Sequence, residues 1–539
     1  MVKQERQRQS AEPASRDDIA ALVGNRRVIV ASNRGPVEFY RDPNGHIGTK
    51  RGSGGVVTAL AGLARRLPLT WIAATMSEGD RQVFPDASTP ARQVRLGRQP
   101  LRVRYVNIAP DVYTRYYDEI SNELLWFLQH YLWDVANSPN FTEQHYLAWD
   151  EGYCSVNHAL ADAISSEVLS GSPAGMASRR RSHARDGEDA IILLQDYHLY
   201  LAAAFIRERL PGAVIQQFIH IPWPAVRYWQ FLPERFLQQI YEGLAANDVL
   251  GFQTELDARN FLECARVLLP DSRVDHSQDS LVWRHHRLLA KAYPITVDAE
   301  EVRHALTTAP ARAAMQELEP LLADDAQVIV RVDRLEPTKN IVRGLLAYEQ
   351  LLRDHPELRG TVRHLAFLVP SRQSLGVYRA YEHNVRRVIR RINKEFGTEQ
   401  WRPITSFFDN NRARALVAMR RCDVQVVNPI IDGMNLVAKE GALANEHDGV
   451  IILSRTAGAS RQMAGAVLPV TPTDIEETAE QLYTALTMPQ HERQQIATRA
   501  RNIVLNESLA RWIEDQLRDA AHSHAAPRTS RARSLRHAG

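Results

Sequence analysis

Short apolar runs, each followed by a helix-patterned segment, recur in two successive rounds along this chain, and that alternation leaves few folds open to it. "RVIVAS" leads into "VVTALAGLARRL", "AIILLQ" into "LYLAAAFIRERL", "IQQFIHI" into "RFLQQIYEGLA" and "VLGFQ" into "ELDARNFLECARVL". After "AKAYPITVD" the pattern restarts with "QVIVRVDRL", "HLAFLVPS", "VQVVNPI" and "VIILSR". Runs of about four to eight apolar, β-branched residues without alternation read as strands buried on both faces. Strand and helix in turn build doubly wound, parallel α/β sheets. Two rounds predict two doubly wound, Rossmann-like domains, and 539 residues suffice for both, since single cores stop growing beyond about 250–300 residues.

The boundaries follow from composition. Residues 1–25, 170–189 and 522–539 are polar and rich in Gly, Pro, Ser or Arg, which predicts two disordered tails and a disordered insertion. Between them an N-terminal domain over 26–297, a C-terminal domain over 298–500 and a helix over 501–521 that crosses back to the N-terminal domain are expected. No aromatic residues interleave with the arginines of the tails as stacking platforms would require, and the net charge of +3 is close to balance, so no nucleic-acid partner is predicted. No run of about 18 apolar residues exists to span a membrane, and the N-terminus has no apolar core of a signal peptide. Cys154, Cys264 and Cys422 lack metal-ligand spacing and are odd in number, which predicts reduced packing residues and a cytoplasmic protein.

Parallel sheets take ligands at the carboxyl ends of their strands, where helix N-termini offer unpaired N–H groups. The polar residues of this chain gather at such positions. Gly54 and Gly55 follow the first strand and would let a phosphate approach the backbone; Asp196, Tyr197 and His198 follow the run "AIILLQ", and His220 follows "IQQFI". In the second round Arg334 and Lys339 lie on one turn and suit a diphosphate. Asp432 can accept bonds from vicinal sugar hydroxyls, Gly433, Met434 and Asn435 present successive N–H groups, and Glu440 follows about two helical turns on. Any one of these is as well explained by a flexible turn, a hydrogen-bonded core residue or a local salt bridge. Their recurrence at successive strand ends points to a site.

The stretches "SNR", "YYDEISNELLW", "DYHL", "HIPWP", "LGFQTE", "DRLEPTKN", "DGMNLVAKE", "LSRTAGAS" and "ALTMP", with the Gly-Gly turn, occur in this order. Together they resemble the trehalose-6-phosphate synthase family, retaining glycosyltransferases of the GT-B fold, from about residue 26 to about residue 515, which implies that the two Rossmann-like domains face each other across a cleft. The resemblance implies that Arg34, Tyr117, Trp126 and Arg372 hold the acceptor's phosphate and sugar and that Asp196 contacts its hydroxyls. It assigns Gly55, Arg334 and Lys339 to the donor diphosphate, His220 and Asp432 to the donor glucose, and Glu440 to the ribose. Arg334, Lys339, Asp196 and His220 are then the catalytic set, with the two cations stabilising the leaving diphosphate.

The implied reaction moves glucose from UDP-, ADP- or GDP-glucose, a substrate and not a cofactor, to glucose 6-phosphate, giving trehalose 6-phosphate. No metal is expected, as no Asp-x-Asp cluster is evident, and a homo-oligomer is left open. The chain departs from the family at Asn340, where glycine is usual, at Ile431 for arginine, at Glu336-Pro337 for Asp-Tyr, at Gln195 for histidine and at Trp223 for phenylalanine. Three alternatives stand beside the main reading: a glucosylglycerol-phosphate synthase, a cyclitol-phosphate pseudo-glycosyltransferase and a catalytically silent regulatory subunit. Retention of "SNR" favours a sugar-phosphate acceptor, and the presence of Arg334, Lys339, Asp432 and Glu440 favours an enzyme.

Overall fold

The computed structural model describes residues 16–42, 44–52, 55–64, 66–96, 99–170, 187–322 and 326–525. The chain forms two compact units, passing from one to the other at Pro294–Ile295 and again at Leu509–Ala510.

In the N-terminal unit seven parallel strands form the centre of one sheet: β1 (Arg27–Ser32), β2 (Leu69–Ala74), β3 (Gln99–Val106), β4 (Ala190–Gln195), β5 (Val214–Phe218), β6 (Val249–Phe252) and β7 (His286–Ala292). They lie in the order β3-β2-β1-β4-β5-β6-β7, with antiparallel strands at both edges. Every residue of β2, β4 and β5 is buried, as expected of strands covered by helices on both faces.

The C-terminal unit repeats the plan in six parallel strands: β8 (Gln327–Arg334), β9 (Val362–Val369), β10 (Ile404–Phe407), β11 (Val424–Val427), β12 (Val450–Ser454) and β13 (Leu468–Val470). Their order is β10-β9-β8-β11-β12-β13. Its core is two-sided: Ile329, Ala366 and Val426 pack into one apolar cluster, while Val328, Val330, Leu365 and Phe367 pack into another. Successive residues of one strand therefore serve opposite faces, which is why these strands read as unbroken apolar runs.

The structure corrects three local expectations. Residues 16–23, placed in a disordered tail, form a helix that buries Ile19 and Val23. Residues 522–525, also placed in a disordered tail, continue helix Leu509–Ala525, and the rest of that tail lies outside the described residues. The predicted helix over 501–521 is two helices, Gln490–Leu505 in the C-terminal unit and Leu509–Ala525, most of which belongs to the N-terminal unit. There Trp512 Nε1 donates to the Tyr293 carbonyl at 3.0 Å, and Asp519 accepts from Lys291 and Tyr293. Most of the insertion at 170–189 lies outside the described residues. No helix among the described residues is long and apolar enough to cross a membrane.

The break between the two helices has a physical cause in Glu507. Its carboxylate accepts from Lys439 Nζ at 2.8 Å and from Thr296 Oγ at 2.5 Å, while Lys439 Nζ also donates to the Ile295 carbonyl at 2.9 Å. The Lys439 side chain is fully buried, and desolvation lowers its pKa against the pull of Glu507. One ammonium thus ties both ends of the C-terminal unit to helix Leu436–Ala444. Breaking a buried pair from one side strands the other charge, so Lys439→Ala is expected to destabilise this unit by about 3–5 kcal/mol, read as a lower urea midpoint. The double variant Lys439→Met, Glu507→Gln should recover part of that loss, because it leaves no buried charge unpaired.

Candidate active site

In each unit the strand order reverses once, between β1 and β4 and between β8 and β11. At such a reversal the crossover helices leave on opposite faces and a crevice opens beyond the carboxyl ends of the two strands. Most of the sequence-predicted residues sit at these two places or one strand away.

In the N-terminal unit Arg34 follows β1, Asp196 follows β4 and His220 follows β5. Arg34 is exposed on a turn fixed from below, where Ser32 Oγ donates to its carbonyl at 2.6 Å and receives the Trp71 indole N–H at 2.8 Å. Asp196 adopts φ 73°, ψ 177°, a region open in practice only to glycine. Its carboxylate accepts the backbone N–H of His220 at 3.1 Å, its own N–H donates to the Phe218 carbonyl at 2.7 Å, and Gln217 Nε2 donates to its carbonyl. Neighbouring strand ends thereby hold a conformation the residue would not adopt alone.

The His220 Nε2 lies 3.0 Å from Gln195 Oε1, a pairing that puts the ring proton on Nε2. Burial pushes its pKa down to about 3, so the ring is neutral in ordinary buffers. Tyr117 stacks between Tyr113, at 5.3 Å between ring centroids, and His198, at 5.8 Å. Trp126 is 6% exposed, stacked on His130 at 4.0 Å and 5.8 Å from the Tyr197 ring. Gly55 opens helix Gly55–Ala64.

In the C-terminal unit Arg334 ends β8 and Lys339 follows on a short 3₁₀ turn, Pro337–Lys339. Their proximity in sequence suggested a pair of cations; in space each has its own carboxylate. Lys339 Nζ donates to Asp432 at 2.5 Å, and Arg334 Nε pairs with Glu336 at 2.6 Å. Beneath them buried Arg331 binds Asp333 at 2.7 Å, the Lys339 carbonyl at 2.9 Å and Asn428 at 2.5 Å, which fixes the turn from the sheet side. Asn340 takes φ 55°, ψ 34°, the left-handed conformation that asparagine tolerates best after glycine. Its amide donates to the carbonyls of Asn428 and Pro472, so the exchange of the family's usual glycine keeps the turn. Nothing in the structure explains isoleucine at 431.

Asp432 is held by Asn435 Nδ2 at 3.1 Å, and Asn435 Oδ1 caps helix Leu436–Ala444 by accepting the Ala438 N–H. Asn435 therefore works through its side chain, not only as one of three backbone donors. The N–H groups of Gly433, Met434 and Asn435 have no protein acceptor among the described residues. The loop is backed by residues 456–459, where a Cβ on Gly458 would meet the Gly433 carbonyl at 1.9 Å. That contact accounts for the glycine in "LSRTAGAS". Glu440 pairs with Arg412 at 2.8 Å and not with its neighbour Lys439. Arg372, after β9, also belongs to this unit; it donates to Glu336 at 3.1 Å and to the Tyr378 hydroxyl at 2.6 Å.

Sequence reasoning missed Arg412 and the role of Glu336. Arg412 stands in "NNRARAL", which carries no distinguishing signal, whereas Glu336 lies inside "DRLEPTKN" and was legible as a carboxylate among cations. The cysteines are packing residues, Cys264 and Cys422 buried and Cys154 partly so, with burial raising all three thiols to about 12.

A family profile described as Glycosyltransferase family 20 matches residues 26–522. A validamine 7-phosphate valienyltransferase from Streptomyces hygroscopicus subsp. jinggangensis is 30% identical over 93% of this chain and 95% of its own length. The UDP-forming alpha,alpha-trehalose-phosphate synthase of Schizosaccharomyces pombe is 31% identical over 89% and 88%. Among solved structures, a UDP-forming alpha,alpha-trehalose-phosphate synthase from Burkholderia xenovorans in complex with glucose-6-phosphate has a TM-score of 0.74 at 27% identity, over 92% of this chain and 99% of that one.

Two expectations follow from the candidate residues of the N-terminal unit. Asp196→Gly and Asp196→Ala both lack the carboxylate, but only glycine accepts φ 73° without strain, so the Gly variant should be the more stable by about 1–3 kcal/mol in thermal or urea unfolding. The ring protons of His220, followed by NMR, should show no titration between about pH 5 and 8. Because its folded pKa lies below the ordinary value of 6.5, its contribution to stability is present above 6.5 and is lost as the pH falls toward about 3.

Proposed function

The chain belongs to glycosyltransferase family 20, as a glycosyltransferase of the trehalose-phosphate synthase class with a GT-B fold, and from that premise we propose that it moves glucose from UDP-glucose to glucose 6-phosphate with retention, giving trehalose 6-phosphate. The observation that carries the reading is the pairing of Lys339 with Asp432 at the strand-order reversal of the C-terminal unit. A diphosphate joined to a sugar offers each member of that pair a replacement partner: phosphate oxygens for the ammonium, hydroxyls for the carboxylate. The N–H groups of residues 433–435 lie beside Asp432 in the chain and add donors for the same ligand. Glu440, one turn into the following helix, can accept from the ribose by exchanging its bond to Arg412.

As the glycosidic bond to the diphosphate breaks, negative charge grows on the leaving phosphate and positive charge on the sugar. Arg334 and Lys339 stabilise the first, and this is where we assign the largest contribution to rate. A neutral His220 with its proton directed to Gln195 is poorly placed to serve as a general acid, so it orients donor hydroxyls. Asp196 accepts from an acceptor hydroxyl, and the leaving phosphate takes the proton of the attacking one, which needs no enzymic nucleophile. Arg34, Tyr117, Trp126 and Arg372 are assigned to the acceptor, the two arginines to its phosphate. A second reading, transfer to or from an amino-cyclitol phosphate, is favoured by the similarity to the valienyltransferase.

Incubating the purified protein with UDP-, ADP- and GDP-glucose and glucose 6-phosphate, and analysing products by NMR, tests the reading. Trehalose 6-phosphate with both anomeric centres α is the expected product. Turnover only with cyclitol phosphates would favour the second reading, and none with any pair would sink both. In an active preparation Lys339→Ala should lower kcat by about 10²–10³, the usual effect of removing one preorganised donor to a developing charge.

A further inference from the structure

Glu336 stands where the family usually has aspartate, and nothing in the assigned machinery uses it. Its side chain is fully buried, yet it is flanked by two guanidinium groups: Oε1 lies 2.6 Å from Arg334 Nε as an ion pair without hydrogen-bond alignment, and Oε2 accepts a hydrogen bond from Arg372 Nη1 at 3.1 Å. Pro337 follows and fixes the backbone at the start of the 3₁₀ turn that delivers Lys339. Arg372 is further held by the Tyr378 hydroxyl, sits at φ 45° and has 8% of its side chain exposed, whereas 46% of the Arg334 side chain is exposed. A buried carboxylate with an oxygen for each of two arginines is an orienting device, because a free arginine loses considerable rotamer entropy when a ligand must order it.

We propose that Glu336 is a positioning residue: one buried carboxylate aligns Arg334 and Arg372 together, so that the cation assigned to the donor diphosphate and the cation assigned to the acceptor phosphate are preset relative to each other. The inference rests on the donor and acceptor assignments above. Both arginines and the carboxylate lie within the C-terminal unit, so the alignment is a property of that unit alone. A neutral glutamine at 336 could offer its single oxygen to only one guanidinium and would turn N–H donors toward the other. Losing the carboxylate also leaves more net positive charge, which by itself favours anions. Alignment and affinity therefore separate, and a loss of alignment appears in turnover more than in ground-state binding.

The test compares wild type with Glu336→Gln and Glu336→Asp, using the substrate pair that supports turnover, UDP binding by calorimetry, and phenylglyoxal labelling of Arg334 and Arg372 read by peptide mass spectrometry. Expected for Glu336→Gln are a kcat lowered about tenfold or more, the scale of a lost charge-assisted hydrogen bond, with UDP affinity within about threefold of wild type. Labelling of both arginines should rise severalfold, and Glu336→Asp, which keeps the charge, should regain much of kcat. Wild-type kcat and labelling in a folded Glu336→Gln protein overturn the inference alone, as does a kcat loss matched by lost UDP affinity and not regained with aspartate. Should wild type bind UDP but turn over no acceptor, labelling decides: unchanged reactivity in Glu336→Gln overturns the alignment. Failure of wild type to bind any of the three nucleotides sinks the donor assignment and this inference with it.

Discussion

Reversal of strand order is the constraint on which the rest depends. A parallel sheet grows outward from its first strand by right-handed crossovers, and only where growth switches direction do adjacent strand ends stand clear of a crossing helix. This chain makes the switch twice, at β1/β4 and at β8/β11. Arg34 and Asp196 flank the first; Arg334, Lys339 and Asp432 flank the second. The polar residues gather there because those are the positions where a functional group can be exposed without interrupting a sheet buried on both faces.

Charge in the C-terminal unit follows a second constraint. Placing cations in a partly buried crevice costs desolvation unless each has a counter-charge. Five carboxylates serve six cations: Lys339 pairs with Asp432, Arg331 with Asp333, Lys439 with Glu507 and Arg412 with Glu440, while Arg334 and Arg372 share Glu336. Two kinds of pair result. Arg331–Asp333 and Lys439–Glu507 are built into the fold, with the basic side chain wholly buried. Lys339–Asp432 and Arg412–Glu440 retain some exposure, so a ligand of suitable charge can replace one partner. The same chemistry serves structure in the first kind and recognition in the second.

The architecture was legible because period and run length report burial directly. Two-sided strands such as "AIILL" have no polar face, and their helices announce themselves by spacing. The positions of Arg34, Asp196, His220, Arg334, Lys339 and Asp432 at strand ends were equally legible. What spacing could not give was pairing across the sheet. Lys339 and Asp432 are 93 residues apart in sequence, so their bond exists only once β8 and β11 are adjacent, while Arg412 and Glu440 stand on the two helices that flank β11 and meet only when both pack beside it. Local composition also misled at the N-terminus, where a polar segment still places Ile19 and Val23 on one helical face, and at Glu507, where a continuous helical pattern yields to a buried ion pair.

Backbone conformation distinguishes the candidate residues of the two units. The C-terminal unit turns at Asn340 and Asn435, residues whose short amide side chains favour the left-handed region and bond locally, so those two turns form at little strain, while Arg372 at φ 45° is held by Glu336 and Tyr378. The N-terminal unit instead forces an aspartate into a conformation suited to glycine, and holds it there by the Phe218 carbonyl, Gln217 and the His220 N–H. A glycine at 196 would ease the backbone but could carry no carboxylate. Strain of this kind persists only where its surroundings over-determine it, and here those surroundings are two adjacent strand ends locked in register. The departure at Gln195 belongs to the same local problem, since the residue that precedes the strained aspartate also fixes the ring of His220. Glutamine bonds that ring through a group that does not itself titrate, so the pair has one titratable member.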